Sequence, residues 1–362
     1  MTAFRFSLRR WLGCLALLGF ALALPARAET SVGYYWQSVR GHLAVWWSAR
    51  PVTEWIEDPA TAPRLVERLR LAQRIRRFAS EALSLPDNGS FTRYAQLDRP
   101  FVLWNVQAAP ELSLDPMRWC FPVAGCVAYR GFFSRERADA FAGDLRGQGF
   151  DVQVGGVPAY STLGWFDDLL LSSFIDYPEP ELAQLIFHEL AHQVVYVPGE
   201  TAFNESFATA VELIGVRRWL ESSGAAAAAL EAWQERRVSR ERFVAMLAQT
   251  AQALRKAYAD ADTDDARRAA KRALIAELRA EAVRQRALSP GFAAYDRWFA
   301  QDIGNAHLMA VGLYHEAVPA FMALYREQGE DLPRFFDAVR AIGALSADAR
   351  RARMAALDSL RR

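Results

Sequence analysis

The stretch that most constrains this chain is residues 180–194, which holds His188, Glu189 and His192 among apolar side chains. Pro180 and Glu181 are residue types that favour the start of a helix. The apolar residues that follow cover most of the circumference of such a helix: Leu182, Leu185, Ile186, Phe187, Leu190 and Val194. The helix is therefore expected to be largely buried. Burying two imidazoles and a carboxylate without partners would be costly, so the fold must supply partners.

A metal ion would resolve that cost. His188 and His192 are four residues apart, so their side chains project from one face of the helix and can converge on a single ion. Glu189 lies about 100° further round and is suited to reach a metal-bound water. In the H-E-x-x-H pattern, zinc lowers the pKa of that water and the glutamate takes the proton. The sequence predicts one zinc ion as cofactor, with Glu189 as general base.

A catalytic zinc has three protein ligands and one open position. Residues 197–199 (Val-Pro-Gly) are expected to end the first helix, and a second, again apolar at helical spacing, is expected to begin near Asn204. A turn between two antiparallel helices would bring Glu205 back to the histidine face. Glu205 is therefore the predicted third ligand, and Glu200 in the turn is the alternative.

The elements HELAHQ and FNESFAT resemble those of the gluzincins, zinc peptidases whose third ligand is a glutamate on the helix after H-E-x-x-H. Together with residues 104–133 and 156–168, they resemble the predicted zinc aminopeptidase family of Gram-negative bacteria. The resemblance implies a peptidase that removes N-terminal residues from peptides. It also implies that His188, His192 and Glu205 bind zinc and that Glu189 is the general base.

The resemblance implies further roles around the metal. An edge strand before the metal helix would pair with the substrate backbone, and Tyr160, Ser161 and Thr162 stand in the matching place. Thr209, or alternatively Glu212, would orient a ligand histidine.

Amide hydrolysis also needs a donor to the developing oxyanion. The first choice is Tyr314, and the full set of candidates is Tyr160, Tyr196, His307, Tyr314 and His315. Asp167 and Asp168 could anchor the substrate ammonium, although a solvated pair at a strand end explains them equally well. An endopeptidase with the same site and a non-catalytic periplasmic metal-binding scaffold remain alternatives.

The N-terminus predicts export. Three arginines precede an apolar run over residues 11–24, which is short for a membrane span of about 20 residues, and an A-x-A sequence ends at Ala28. Residues 1–28 are predicted to be a signal peptide cleaved near Ala28 and leading to the periplasm or to export, with an uncleaved anchor as the alternative, and lipid attachment at Cys14 is disfavoured. In an oxidising compartment Cys120 and Cys126 are predicted to form a disulfide, with free thiols as the alternative.

The overall pattern predicts a mostly helical α+β fold with a small sheet beside the metal helix. The expected domains are an N-terminal helical segment (29–99), an α+β core (100–220) and a helical C-terminal lobe (221–362). Strands are expected within residues 101–160, with a helix begun by Ser134 between them. The net charge of +1 comes from interspersed charges of both signs. We therefore expect a peptide partner, no nucleic-acid partner and no stable membrane span once the signal peptide is removed.

Overall fold

The fold is of the predicted α+β class, with short strands and a majority of helical residues. The computed structural model describes residues 39–121, 125–159, 167–222, 224, 227–309 and 317–359. Its contacts divide the chain into two units, Met1–Ala44 and Val45–Arg362. In the first unit residues 39–44 are described, and they are helical. The predicted signal peptide and Cys14 lie outside the described residues. The elements named below belong to the second unit.

The first half of this unit contains strands as well as helices. In chain order these are β1 (Arg50–Pro51), α1 (Val52–Glu57), α2 (Pro63–Glu81), β2 (Arg93–Ala95), β3 (Leu103–Pro110), β4 (Trp119–Phe121), β5 (Gly125–Val127), β6 (Arg130–Phe132), α3 (Arg135–Gly147), β7 (Phe150–Val157) and β8 (Leu170–Leu171). Ser134 caps α3 as the sequence predicts, because its hydroxyl accepts a hydrogen bond from the backbone N–H of Arg137 at 3.2 Å.

The second half is helical. Its elements are α4 (Glu179–His192), α5 (Thr201–Ser222), α6 (Ala227–Asp260), α7 (Asp264–Leu288), a 3-10 segment (Pro290–Tyr295), α8 (Asp296–Phe299), α9 (Asn305–Met309), α10 (Val318–Glu327), α11 (Leu332–Gly343) and α12 (Ala347–Ser359). Helices α6 and α7 pack against each other as a helical hairpin within the predicted helical C-terminal lobe. Among the described residues, no helix is both long enough and apolar enough to cross a membrane.

The described strands form three sheets. The first sheet has the strand order β1–β2–β8, and in it β2 is antiparallel to β1 and parallel to β8. A second, fully antiparallel sheet has the order β6–β3–β7. The third is the hairpin of β4 and β5, in which Cys120 lies opposite Cys126 and the predicted disulfide joins them. Strands β1, β2 and β8 lie outside residues 101–160, where strands were expected, because two or three residues are too few to show a period.

One apolar core surrounds the helix that carries the histidines. It joins α2, α4, α5, α10, α11 and α12 with the β1–β2–β8 sheet, and Phe187 and Phe207 are both fully buried in it. A second core lies around the α6–α7 hairpin and the 3-10 segment. The first core fixes the helices of the candidate site.

Candidate metal centre

Helices α4 and α5 run antiparallel and in close contact. The indole N–H of Trp219, near the end of α5, donates to Glu179 at the start of α4 at 2.9 Å. Midway along, Gly215 lies so close to Phe187 that a Cβ atom added to the glycine would be 2.6 Å from the ring. This pairing sets the first turn of α5 beside the last turn of α4, where the histidines are.

The three predicted ligands meet between these helices. The Nε2 atoms of His188 and His192 are 3.2 Å apart, and the carboxylate of Glu205 lies 3.3 Å from the first and 3.7 Å from the second. One ligand atom from each residue lies within 4.8 Å of the other two. Ligands at about 2.0–2.1 Å from a tetrahedral ion are separated from each other by about 3.3 Å. The arrangement can therefore accept a metal ion with little movement.

Glu212 holds His188 from behind. Its Oε2 lies 2.8 Å from Nδ1 of His188, while its Oε1 accepts a hydrogen bond from the side-chain amide of Gln184 at 2.8 Å. Because a carboxylate only accepts, Nδ1 of His188 carries the hydrogen and Nε2 is turned toward Glu205. Thr209, the other residue considered for this role, is buried, and the described contacts give it no hydrogen bond to either imidazole.

The two imidazoles differ in their affinity for protons. Burial disfavours the charged form of His188, but hydrogen bonds to Glu205 and Glu212 outweigh it and raise its pKa well above the usual value. For His192, burial and the neighbouring charge of His188 lower the pKa to about 4. The Nδ1 atom of His192 is buried and has no hydrogen-bond partner among the described residues. In the metal-free protein His188 therefore holds the proton and His192 is neutral.

Glu189 is set among other carboxylates. Burial raises its pKa to about 7; the positive charge of His188 opposes this rise, while the negative charges of Asp168, Glu205 and Glu212 add to it. A carboxyl group with a pKa near neutrality can both accept and release a proton at physiological pH. This is the property required of a general base that also returns the proton to a leaving group.

A polar cluster at the end of α4 was not predicted from the sequence. The Gln193 side-chain N–H groups donate to Ser90 Oγ at 3.1 Å and to Asp168 Oδ2 at 3.0 Å, and Asn88 donates to the Gln193 oxygen at 2.7 Å. Asp168 is only 5% exposed, so the interpretation as a solvated pair is wrong for it. Its neighbour Asp167 is exposed. No local pattern marks this cluster, because its members come from three separate segments.

The turn between the helices also differs from the prediction. Helix α5 begins at Thr201 and not near Asn204. Asn204 lies inside the first turn, where its side chain reaches back to accept from the N–H and donate to the carbonyl of Val197, both at 2.8 Å. Glu200, the alternative ligand, is engaged elsewhere: its Oε1 is 2.6 Å from the guanidinium of Arg350.

The remaining candidates do not join the site among the described residues. Tyr196 is 46% exposed on the turn after α4. His307 belongs to α9, where its Nδ1 accepts the N–H of Gly304 at 3.1 Å. The other residues with predicted roles lie outside the described residues: Tyr160, Ser161, Thr162, Tyr314 and His315.

Comparison with known proteins relates the chain to a protein family. A family model described as "Putative aminopeptidase" matches residues 33–354, which is most of the chain. No curated protein and no solved structure matches it significantly.

Proposed function

We propose, given that the chain belongs to the "Putative aminopeptidase" family, that it is a zinc-dependent peptidase that removes N-terminal residues from peptides. The observation that carries the proposal is the convergence of His188, His192 and Glu205, with Glu189 on the same helix. The family match supports peptidase activity in general. The metal, the exopeptidase specificity and the individual roles are our proposals.

The donor set suits zinc. Two imidazole nitrogens and one carboxylate oxygen are ligands that zinc accepts, and three protein ligands leave the open position of a catalytic site. The separations of 3.2, 3.3 and 3.7 Å fit such an ion. The buried cluster also contains the negative charges that a cation would neutralise. When bound, the ion would polarise the substrate carbonyl and make water a stronger acid at neutral pH.

The side chains then have distinct roles. Glu189 accepts the proton of the attacking water and delivers it to the nitrogen of the leaving amine. Glu212 keeps the hydrogen of His188 on Nδ1, so that Nε2 presents a lone pair. Tyr160, Ser161 and Thr162 would bind the substrate backbone, and Tyr314 would donate to the oxyanion. These last roles rest on the family resemblance.

Export to the periplasm is also proposed. The Cys120–Cys126 disulfide is compatible with an oxidising compartment, and the N-terminal sequence has the order of charged, apolar and small residues found in signal peptides.

The proposal is tested with matched peptides that carry a free or an acetylated N-terminus. Hydrolysis of the free form alone is expected for the zinc-loaded protein. Glu189→Gln should reduce turnover by about 10²–10⁴-fold while zinc stays bound. As a control, Glu181→Gln changes a carboxylate in the first turn of the same helix, which pairs with Arg236, and should leave turnover unchanged. Equal cleavage of the acetylated peptide would establish the endopeptidase alternative, and unchanged turnover in Glu189→Gln would refute the mechanism.

A further inference from the structure

The connection between the two helices of the proposed metal site forms hydrogen bonds with two other segments, the first turn of α5 and the C-terminal helix α12. Residues 193–200 link His192 to α5, four residues before Glu205. Asn204, in the first turn of α5, makes two hydrogen bonds to Val197 in the connection. Arg350, in α12, donates a hydrogen bond to Glu200 in the same connection. The segment between His192 and Glu205 is therefore in contact with a part of the chain that is distant in sequence.

The guanidinium of Arg350 is buried and is fixed by several hydrogen bonds. Its side chain is 8% exposed, and one guanidinium nitrogen donates to the carbonyls of Gly343 and Leu345 at 2.9 and 3.0 Å. The other donates to Glu200 at 2.6 Å. The guanidinium also lies 5.7 Å from the ring of Phe203 in the first turn of α5. Because the guanidinium is a planar fork with fixed donor directions, these acceptors fix its position and that of Glu200.

Apolar contacts also join the end of α11 to the connection between α4 and α5. A Cβ atom added to Gly343, at the end of α11, would lie 3.1 Å from a methyl group of Val197 and 3.7 Å from Val195. The end of α11 thus rests directly on the connection, and Arg350 ties that end to Glu200 through the Gly343 carbonyl.

We propose that Arg350 is a positioning residue for the metal centre: through Glu200 it clamps the connection between α4 and α5 so that Glu205 faces the histidines. The same ion pair directs the carboxylate of Glu200 away from the metal ligands, so that the site has one carboxylate ligand and an open position. The inference rests on the proposed metal site, and it assigns to the last helix a function in metal binding.

The test is a double-mutant cycle on zinc affinity, measured by competition with a chelator. Glu200→Ala removes the clamp and leaves Arg350 with its two carbonyl acceptors, so it should fold. Arg350→Ala removes the guanidinium that pairs with Glu200. Each should weaken zinc binding by about tenfold, and the double variant should be no weaker than either single one, because the two residues act as a unit.

Controls separate this role from a general loss of stability. Arg353, on the same helix as Arg350, forms an exposed ion pair with Glu327 of α10, and Arg353→Ala should leave zinc affinity unchanged. In cobalt-loaded protein, the visible spectrum should change in Glu200→Ala and stay as in the wild type in Arg353→Ala. If Glu200→Ala lowers only the melting temperature, or if the two effects on affinity add, the inference is wrong. If the wild-type chain does not bind zinc at all, the proposed function itself fails.

Discussion

Glu212 and His188 are joined at the candidate metal centre: Oε2 of the glutamate lies 2.8 Å from Nδ1 of the imidazole, opposite the nitrogen that faces Glu205. The glutamate is 6% exposed and comes from the other helix. It therefore links the rotation of α5 to the orientation of a ligand on α4.

Replacing Glu212 by Gln should weaken zinc binding by about 10–100-fold, because the neutral amide no longer holds the Nδ1 hydrogen with a charge-assisted bond. Competition with a chelator measures the change. Glu221→Gln, on the same helix but exposed and paired with Arg217, is the matched control and should bind like the wild type. Wild-type affinity in Glu212→Gln would refute the role given to Glu212.

Zinc affinity should fall as the pH is lowered. The pKa of His188 is raised well above its usual value in the metal-free protein, so below that pKa zinc must displace a proton. His192, with a pKa of about 4, has no proton to lose above pH 5. In Glu189→Gln, which lacks the other group that titrates near neutrality, affinity should therefore rise by about tenfold per pH unit between about pH 5 and the pKa of His188.

Proton release on zinc binding, measured by calorimetry in buffers of different ionisation enthalpy, tests this. The Glu189→Gln background is used, because a cation would also lower the pKa of Glu189, which stands at about 7. One proton per zinc is expected near pH 6. Zinc binding that releases no proton there would contradict the assignment of the proton to His188.

Asn305 should be a determinant of stability far from the histidines. It is fully buried; its amide N–H groups donate to the carbonyls of Pro110, Glu111 and Ser113 at 2.9–3.0 Å, and its oxygen accepts from Tyr258 at 3.0 Å. Asn305→Ala leaves these partners unsatisfied, so the free energy of unfolding should fall by about 2–4 kcal/mol.

Urea denaturation measures that loss. Gln301→Ala, an exposed position near the same helix, should change the free energy of unfolding by less than about 0.5 kcal/mol. Similar values for the two variants would show that the Asn305 hydrogen bonds contribute little.

Replacing a helical glycine by alanine should lower the stability of the protein at Gly215 and raise it at Gly143. At Gly215 the new Cβ would lie 2.6 Å from Phe187 and 2.8 Å from Leu83, so Gly215→Ala should cost about 1–3 kcal/mol of stability by forcing α4 and α5 apart. At Gly143 in α3 no atom lies within 4 Å of that position, so Gly143→Ala should stabilise by about 0.5–1 kcal/mol. Thermal or urea unfolding measures both changes in stability. If Gly215→Ala leaves the stability unchanged, α4 and α5 are less tightly packed than the distances indicate.

The helices and the convergence of His188, His192 and Glu205 could be predicted from the sequence because that information is local. The i, i+4 spacing of His188 and His192 and the apolar positions around them define one helix, and Glu205 follows within a short turn. The sequence alone did not decide between Thr209 and Glu212 as the partner of His188. They lie three residues apart on α5, and the choice depends on how that helix is rotated against α4.

Long-range contacts gave no sequence signal. Arg350 and Glu200 are 150 positions apart, and the residues around Gln193 come from three segments, so no periodicity joins them. Strand β8 is only two residues long, and its pairing with β2 is decided by the core around it. The early start of α5 at Thr201 follows from Asn204, whose side chain bonds to Val197 instead of capping the helix from outside.

The zinc content of the purified chain, measured by elemental mass spectrometry after loading with zinc and dialysis, decides whether His188, His192 and Glu205 together bind one ion. We expect one zinc ion per chain for the wild type and for Glu189→Gln, and almost none for Glu205→Ala, which keeps both histidines but loses the carboxylate that faces them. A wild-type chain without zinc, or a Glu205→Ala chain that retains a full ion, would contradict this expectation.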